Sequence, residues 1–174
     1  MITLVIGKPD SGKSKYAENM AVSGSYRNRY YIATMKVMDE AGRKRVEKHR
    51  KMREGKGFIT LEIPNDIVTA AESIEEPEDS VVVLECIPNL VGNAMHDDTN
   101  MAWMSYQGEV FEREFARAVT GRVTELADMV CDMIVVSASF DPDPSDDQET
   151  VLYKRLVDTV NIELRKVAGK TVEV

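Results

Sequence analysis

The chain is short of the residues that metal centres, disulfide scaffolds and membrane spans require. Its 174 residues include two cysteines, Cys86 and Cys131, and two histidines, His49 and His96. The cysteines have no metal-type spacing, which fits a reduced protein with the cytoplasm as its expected location. No apolar run approaches the ~20 residues of a membrane-spanning helix. The chain opens directly into a hydrophobic strand, so no secretory leader is expected. Positive charge is in deficit, with 22 Lys+Arg against 30 Asp+Glu and a net charge of −8. An acidic surface repels nucleic acid and anionic lipid, so neither is expected as a general partner. Repeats, low-complexity tracts and linkers are also missing. Residues 1–174 therefore read as one domain, long enough to bury a full core.

What is present is an alternation of strands and helices. Ile2 to Ile6 is a short apolar run of the kind buried on both faces in a parallel sheet. A turn and a helix from about Lys13 to Ser23 follow. Tyr30 to Ala33, Phe58 to Ile63, Val81 to Glu85, Met133 to Ser137 and Thr171 to Val174 read as further strands, the last stopping early. Asp39 to Glu54 reads as a charged helix closed by Gly55 and Gly57. Asn65 or Asp66 is expected to cap a short helix to about Ile74. A long helix is expected over roughly Met104 to Met129, with Val110, Phe111, Phe115, Val119, Val123, Leu126 and Val130 on its apolar face. Asp141 to Asp147 is a Pro/Asp loop, and a last helix runs from about Glu149 to Val167. The pattern predicts an α/β fold with a doubly wound, mostly parallel sheet flanked by helices.

Directly after the first strand stands Gly7-Lys8-Pro9-Asp10-Ser11-Gly12-Lys13-Ser14. This is the G-x-x-x-x-G-K-[ST] phosphate-binding pattern in its required strand–loop–helix context. It makes the domain a P-loop, NTPase-like one, binding ATP, GTP or both. Gly7 and Gly12 let the backbone curl so that its N–H groups face phosphate oxygens. The helix N-terminus adds partial positive charge. Lys13 would reach the β/γ-phosphates, and the Ser14 hydroxyl would ligate Mg²⁺. A carboxylate to share that metal is expected at the end of a buried strand. Glu85, after Val81-Val82-Val83-Leu84, has that position; a solvent-facing strand-end Glu is the alternative. Cys86 next to it reads as a small core residue.

The scarce positive charge is concentrated. Eight of the 22 Lys+Arg lie between Arg43 and Lys56. Arg45, His49 and Arg53 are spaced four apart and share a helix face, with Lys44 and Lys48 beside them. Arg45, Lys48 and Arg53 could clamp a polyphosphate. The neighbouring cations would keep His49 neutral, and a neutral imidazole could attack an α-phosphorus. Spacing alone leaves the alternative open, a solvated charged face with a bystander histidine. His96, in His96-Asp97-Asp98-Thr99-Asn100, reads as part of a polar surface loop.

Taken together, these residues resemble the bifunctional adenosylcobinamide kinase / adenosylcobinamide-phosphate guanylyltransferase family of cobalamin biosynthesis. The resemblance rests on Thr3 to Ser14, Tyr31-Ile32-Ala33-Thr34, Arg45-Val46-Glu47-Lys48-His49-Arg50 with Arg53, Phe58 to Glu62, Leu84-Glu85-Cys86, Asn93, Asp158 and Asn161. It implies that adenosylcobinamide, a corrinoid, is phosphorylated by ATP or GTP. It further implies that GTP transfers GMP to His49, and then to the cobinamide phosphate. It implies a homotrimer as well. Three features depart from the family pattern. Lys8 stands where the family has a second Gly. Ser137-Ala138-Ser139-Phe140 replaces an Asn-Glu-x-Gly motif. The end segment is short. Two other readings remain: a small-molecule P-loop kinase without a covalent intermediate, and a nucleotide-binding protein without catalysis. A signalling GTPase is disfavoured, because no Asn-Lys-x-Asp motif is present.

Overall fold

A computed structural model describes residues 1–97 and 108–174. Six strands form one sheet in the order β3-β2-β4-β5-β1-β6, and every adjacent pair is parallel. The strands are β1 (Ile2–Gly7), β2 (Asn28–Ala33), β3 (Phe58–Glu62), β4 (Ser80–Glu85), β5 (Asp132–Ala138) and β6 (Lys170–Glu173). The helices are α1 (Lys13–Ser23), α2 (Glu40–Arg53), α3 (Ile87–Met95), α4 (Asp98–Ala127) and α5 (Gln148–Val167). Two short 3-10 turns, Ile67–Ser73 and Pro77–Asp79, precede β4.

The period of two in the strands sorts their side chains between two cores. Leu4, Ile6, Ile32, Leu84 and Val135 face a large core with residues of α3, α4 and α5. Val5, Tyr31, Val83, Ile134 and Val136 face a smaller core closed by Ala17 and Ala21 of α1. Both faces of the sheet are therefore covered, and the central strands are nearly continuous apolar runs for that reason.

The α/β class and the helix-flanked sheet stand as expected, and the sheet is parallel throughout. Several finer expectations need correction. Helix α3 was not anticipated; it begins with Pro88 in its first turn, where a missing N–H costs nothing. Neither Asn65 nor Asp66 caps an α-helix. The segment is a 3-10 turn, and the Asp66 carboxylate accepts from Arg122 at 2.7 Å. The long helix is broken at Gly108, whose φ of 48° and ψ of −128° are not helical. Val110 lies beyond that break and is exposed, whereas Phe111, Phe115, Val119, Val123 and Leu126 are buried as expected. Val130 lies past the helix end. Of the expected elements, Met104 to Gln107 lie outside the described residues. So do Asp98, Thr99 and Asn100 of the loop containing His96. No helix among the described residues is long and apolar enough to cross a membrane.

Candidate active site

The phosphate loop is shaped by two glycines for different reasons. Gly12 sits at φ 89°, in the left-handed region, with open space where a Cβ would stand. Gly7 is the last residue of β1, and its need is room. A Cβ there would lie 2.3 Å from Ser11 Oγ and 2.6 Å from the Val174 carbonyl oxygen. Asp10 also takes a positive φ, 59°. No side chain caps α1 at Gly12, so the N–H groups of its first turn face the loop unobstructed.

Around this loop the polar groups are partly engaged. Lys13 Nζ donates to the Lys8 carbonyl at 3.0 Å, folding over the loop it would share with a phosphate. Ser11 Oγ is enclosed without a partner. Lys8 forms an ion pair with Asp141 at 2.7 Å. Lys8, one departure from the family pattern, thus meets the first residue of the Asp/Pro loop, which follows another departure, Ser137 to Phe140. Both side chains are well exposed, so the pair adds at most ~1 kcal/mol of stability. The replacement segment is otherwise structural. Ser137 donates to Asn161 Oδ1 at 2.6 Å, and the Phe140 ring packs against Tyr153.

Ser14 and Glu85 are brought together. The Ser14 hydroxyl donates to Glu85 Oε1 at 2.8 Å, although β4 is separated from β1 by β5. Glu85 Oε2 is enclosed and unpartnered. Burial pushes the Glu85 carboxyl up to about 7, against the lowering effect of the Ser14 hydrogen bond and Lys13. Thr34, just beyond β2, pins this strand end. Its Oγ1 lies 3.0 and 2.9 Å from the carbonyl oxygens of Glu85 and Cys86 and accepts from Cys86 N at 2.8 Å. The Glu85–Cys86 peptide bond is cis. Asn93 holds Thr34 in turn, donating to its carbonyl at 2.7 Å and to that of Pro64 at 2.6 Å. Burial raises the Cys86 thiol to about 12, which agrees with an inert core residue.

Helix α2 is capped by Asp39, which accepts from Gly42 N at 2.7 Å. It leans on β2 and β3. Arg50 pairs with Glu62. The Arg53 guanidinium is buried 3.6 Å above the Tyr31 ring, with Nη2 3.4 Å from Thr60 Oγ1. Arg53 Nε and Nη1 are enclosed and unpartnered. Between helix and sheet lies a pocket of about 110 Å³ lined by Tyr31, Val46, His49, Arg53, Glu62, Glu85 and Asn89, among others.

His49 is neither a fully buried core residue nor fully solvated. It is half-buried in the pocket wall, with Nδ1 enclosed and unpartnered. Its pKa is lowered from 6.5, as the sequence suggested, but the leading cause is burial; Arg53, Lys48 and Arg45 add to it and Glu18 opposes it. The expected clamp divides. Arg53 lines the pocket with His49, whereas Lys48 lies with Lys44 and Lys51 on another, open side of the helix. Arg45 is exposed. Tyr31, Thr34, Glu18 and Asn89 carry no site motif in the sequence, where Tyr31 and Thr34 stand only as parts of a strand pattern.

A family model described as cobinamide kinase / cobinamide phosphate guanyltransferase matches residues 3–174. The chain belongs to that family. The bifunctional adenosylcobalamin biosynthesis protein CobU of Escherichia coli is 34% identical over 97 residues, 56% of this chain and 51% of that protein. The protein of the same description from Salmonella typhimurium is 33% identical over 95 residues, covering 55% and 50%. The matched region spans about half the length of these curated relatives. A solved structure of an ATPase domain superposes with a TM-score of 0.54 over 99% of this chain and 68% of its own, at 7% identity. That likeness concerns the fold alone and agrees with a P-loop NTPase-like architecture.

Proposed function

We propose that the chain is a nucleotide-dependent transferase that phosphorylates adenosylcobinamide and moves GMP from GTP to the cobinamide phosphate through His49. The observation that carries this reading is the double membership of Glu85. It accepts from Ser14 at the phosphate loop and also lines the pocket that contains His49. One carboxylate thus joins the phosphate-binding end to the candidate nucleophile.

The residues present fit a magnesium ion. Ser14 Oγ and the Glu85 carboxylate, with its unpartnered Oε2, are hard oxygen donors. Among the described residues no group of three or more His, Cys, Asp and Glu is arranged to hold a metal, so nucleotide oxygens and water would complete the shell. When bound, the ion supplies neutralisation of phosphate charge. The chain's own groups do the rest. The N–H groups of the loop and of α1 cradle the phosphates, and Lys13 exchanges the Lys8 carbonyl for a phosphate oxygen. A neutral His49 attacks the α-phosphorus of GTP with its lone pair, and pyrophosphate departs with the electrons of the broken P–O bond. An oxygen of cobinamide phosphate then attacks the same phosphorus and releases the imidazole. Arg53 lines this pocket and would offset charge on the nucleotide.

The test follows two products. With adenosylcobinamide and ATP or GTP, the enzyme should form the phosphate. With adenosylcobinamide phosphate and GTP, it should release pyrophosphate and form adenosylcobinamide-GDP. Lys13→Ala should abolish both, and His49→Asn only the second. GMP transfer that survives His49→Asn would remove the covalent route and leave a kinase without an intermediate.

A further inference from the structure

The backbone that carries Glu85 is gripped by a hydroxyl from the neighbouring strand end. Ala33 and Glu85 are register partners in the β2–β4 ladder, and Thr34 N extends that ladder by donating to the Glu85 carbonyl at 2.9 Å. Beyond this point the strands stop, and backbone groups need other partners. The Thr34 side chain supplies them. Thr34 is 0% exposed. Its Oγ1 accepts from Cys86 N at 2.8 Å and lies 3.0 and 2.9 Å from the carbonyl oxygens of Glu85 and Cys86. All three partners belong to Glu85 and the residue after it. Asn93 of α3 fixes Thr34 in turn, donating to its carbonyl at 2.7 Å and to that of Pro64, just past β3, at 2.6 Å. Two side chains thus clip the ends of β2, β3 and β4 together, beside the pocket that Ala33, Met35 and Glu85 share with His49.

We propose that Thr34, braced by Asn93, is a positioning residue for Glu85, fixing the strand-end backbone so that the carboxylate meets Ser14 and the magnesium ion. This rests on the reading of Ser14 and Glu85 as oxygen donors to that ion. The Glu85 side chain has one tie, from the Ser14 hydroxyl to Oε1 at 2.8 Å, and its Oε2 is unpartnered. That single tie leads to another donor of the same metal, so it anchors neither group when the ion binds. The anchor is the backbone, and Thr34 holds it on both sides of the Glu85–Cys86 peptide. Partners behind a metal ligand fix its direction and raise affinity without touching the ion. Valine in place of Thr34 keeps the shape but removes the acceptor of the Cys86 N–H. Serine keeps the hydroxyl.

Mn²⁺, which suits the same oxygen donors, is the probe. Its affinity is read from the electron paramagnetic resonance of free Mn²⁺, with the protein loaded with α,β-methylene GTP, whose bridging carbon blocks departure of pyrophosphate. Thr34→Val should weaken Mn²⁺ binding by about 10–100-fold, and Thr34→Ser should restore most of it. Affinity for the nucleotide without metal should match the wild type. Asn93→Ala should weaken Mn²⁺ binding in the same sense, and it carries the test if Thr34→Val does not fold. Unchanged Mn²⁺ affinity in the folded variant would overturn the proposal. So would an equal loss of metal-free nucleotide binding, which a general disturbance of the fold produces. Glu85→Gln separates this role from the metal assignment beneath it. A wild type that binds no Mn²⁺, or a Glu85→Gln protein that binds it equally well, would overturn the assignment and the role of Thr34 with it. Weakened binding in Glu85→Gln beside unchanged binding in Thr34→Val would overturn the role of Thr34 alone.

Discussion

The Ser14 hydroxyl donates to Glu85 Oε1 at 2.8 Å, tying the first turn of α1 to the end of a strand two places away in the sheet. The bond joins the two oxygen donors expected for the metal. Ser14→Ala and Glu85→Gln should each lower turnover by about 10²–10³-fold, with a raised magnesium requirement. Kinetics over a magnesium series check this. Unchanged magnesium dependence in Glu85→Gln would show that the carboxylate only braces Ser14.

The loop glycines should respond differently to alanine. Gly7→Ala places a methyl group 2.6 Å from the Val174 carbonyl, a backbone atom that cannot step aside cheaply. The expected cost is about 1–3 kcal/mol. Gly12→Ala meets no atom but holds a side chain at φ 89°, for about 1–2 kcal/mol. Urea denaturation measures both losses. Restoring room by Ser11→Ala should recover little in Gly7→Ala, because the Val174 contact remains.

Ser137, Asn161 and Ala138 form a buried hydrogen-bonded set. Ser137 donates to Asn161 Oδ1, and Asn161 donates to the Ala138 carbonyl at 2.9 Å. Asn161→Ala strands a hydroxyl and a carbonyl and should cost about 1–3 kcal/mol. Ser137→Ala should cost less, and the pair should be non-additive in a double-mutant cycle.

His49 gives the protein a signature in pH. Burial, with Arg53 next, favours its neutral form in the folded state, so its pKa lies below 6.5. Between that lowered pKa and 6.5 the unfolded chain binds more protons, and stability rises with pH. On acidification the wild type should therefore lose stability through this window relative to His49→Asn. Urea midpoints of the two proteins from about pH 8 to about pH 5 measure the difference. Parallel curves would mean that the imidazole is solvated.

The sequence shows most plainly what depends on near neighbours. The phosphate loop, its flanking β1 and α1, and the capped α2 are local patterns, and they stand where their residues put them. Helix α3 is less legible because Pro88 fits a loop as readily as the first turn of a helix. The break in α4 escaped because Gly108 lies inside an otherwise periodic helix, and a glycine there fits either geometry. Candidate residues that the structure brings to one pocket were legible where a motif carried them. Glu85 could be read from its strand end and His49 from its basic helix. What places His49 in a buried wall is the docking of α2 on β2 and β3, through Arg53 over Tyr31 and Arg50 on Glu62. Thr34 reaches Glu85 and Cys86 from more than fifty residues away, and Glu18 meets Lys56 across 38. Such pairings leave no period in the chain, and α1 read alone shows Glu18 as a surface carboxylate.

The most direct measurement is label retention. Purified protein is incubated with Mg²⁺ and GTP labelled at the α-phosphorus, denatured, and counted for label bound to the chain, with His49→Asn alongside. Label on the wild type, labile to acid and stable to base, and none on the variant is the expected result. Nucleotide that binds but leaves no label on the denatured wild type, or equal label on both proteins, would contradict a guanylyl intermediate on His49.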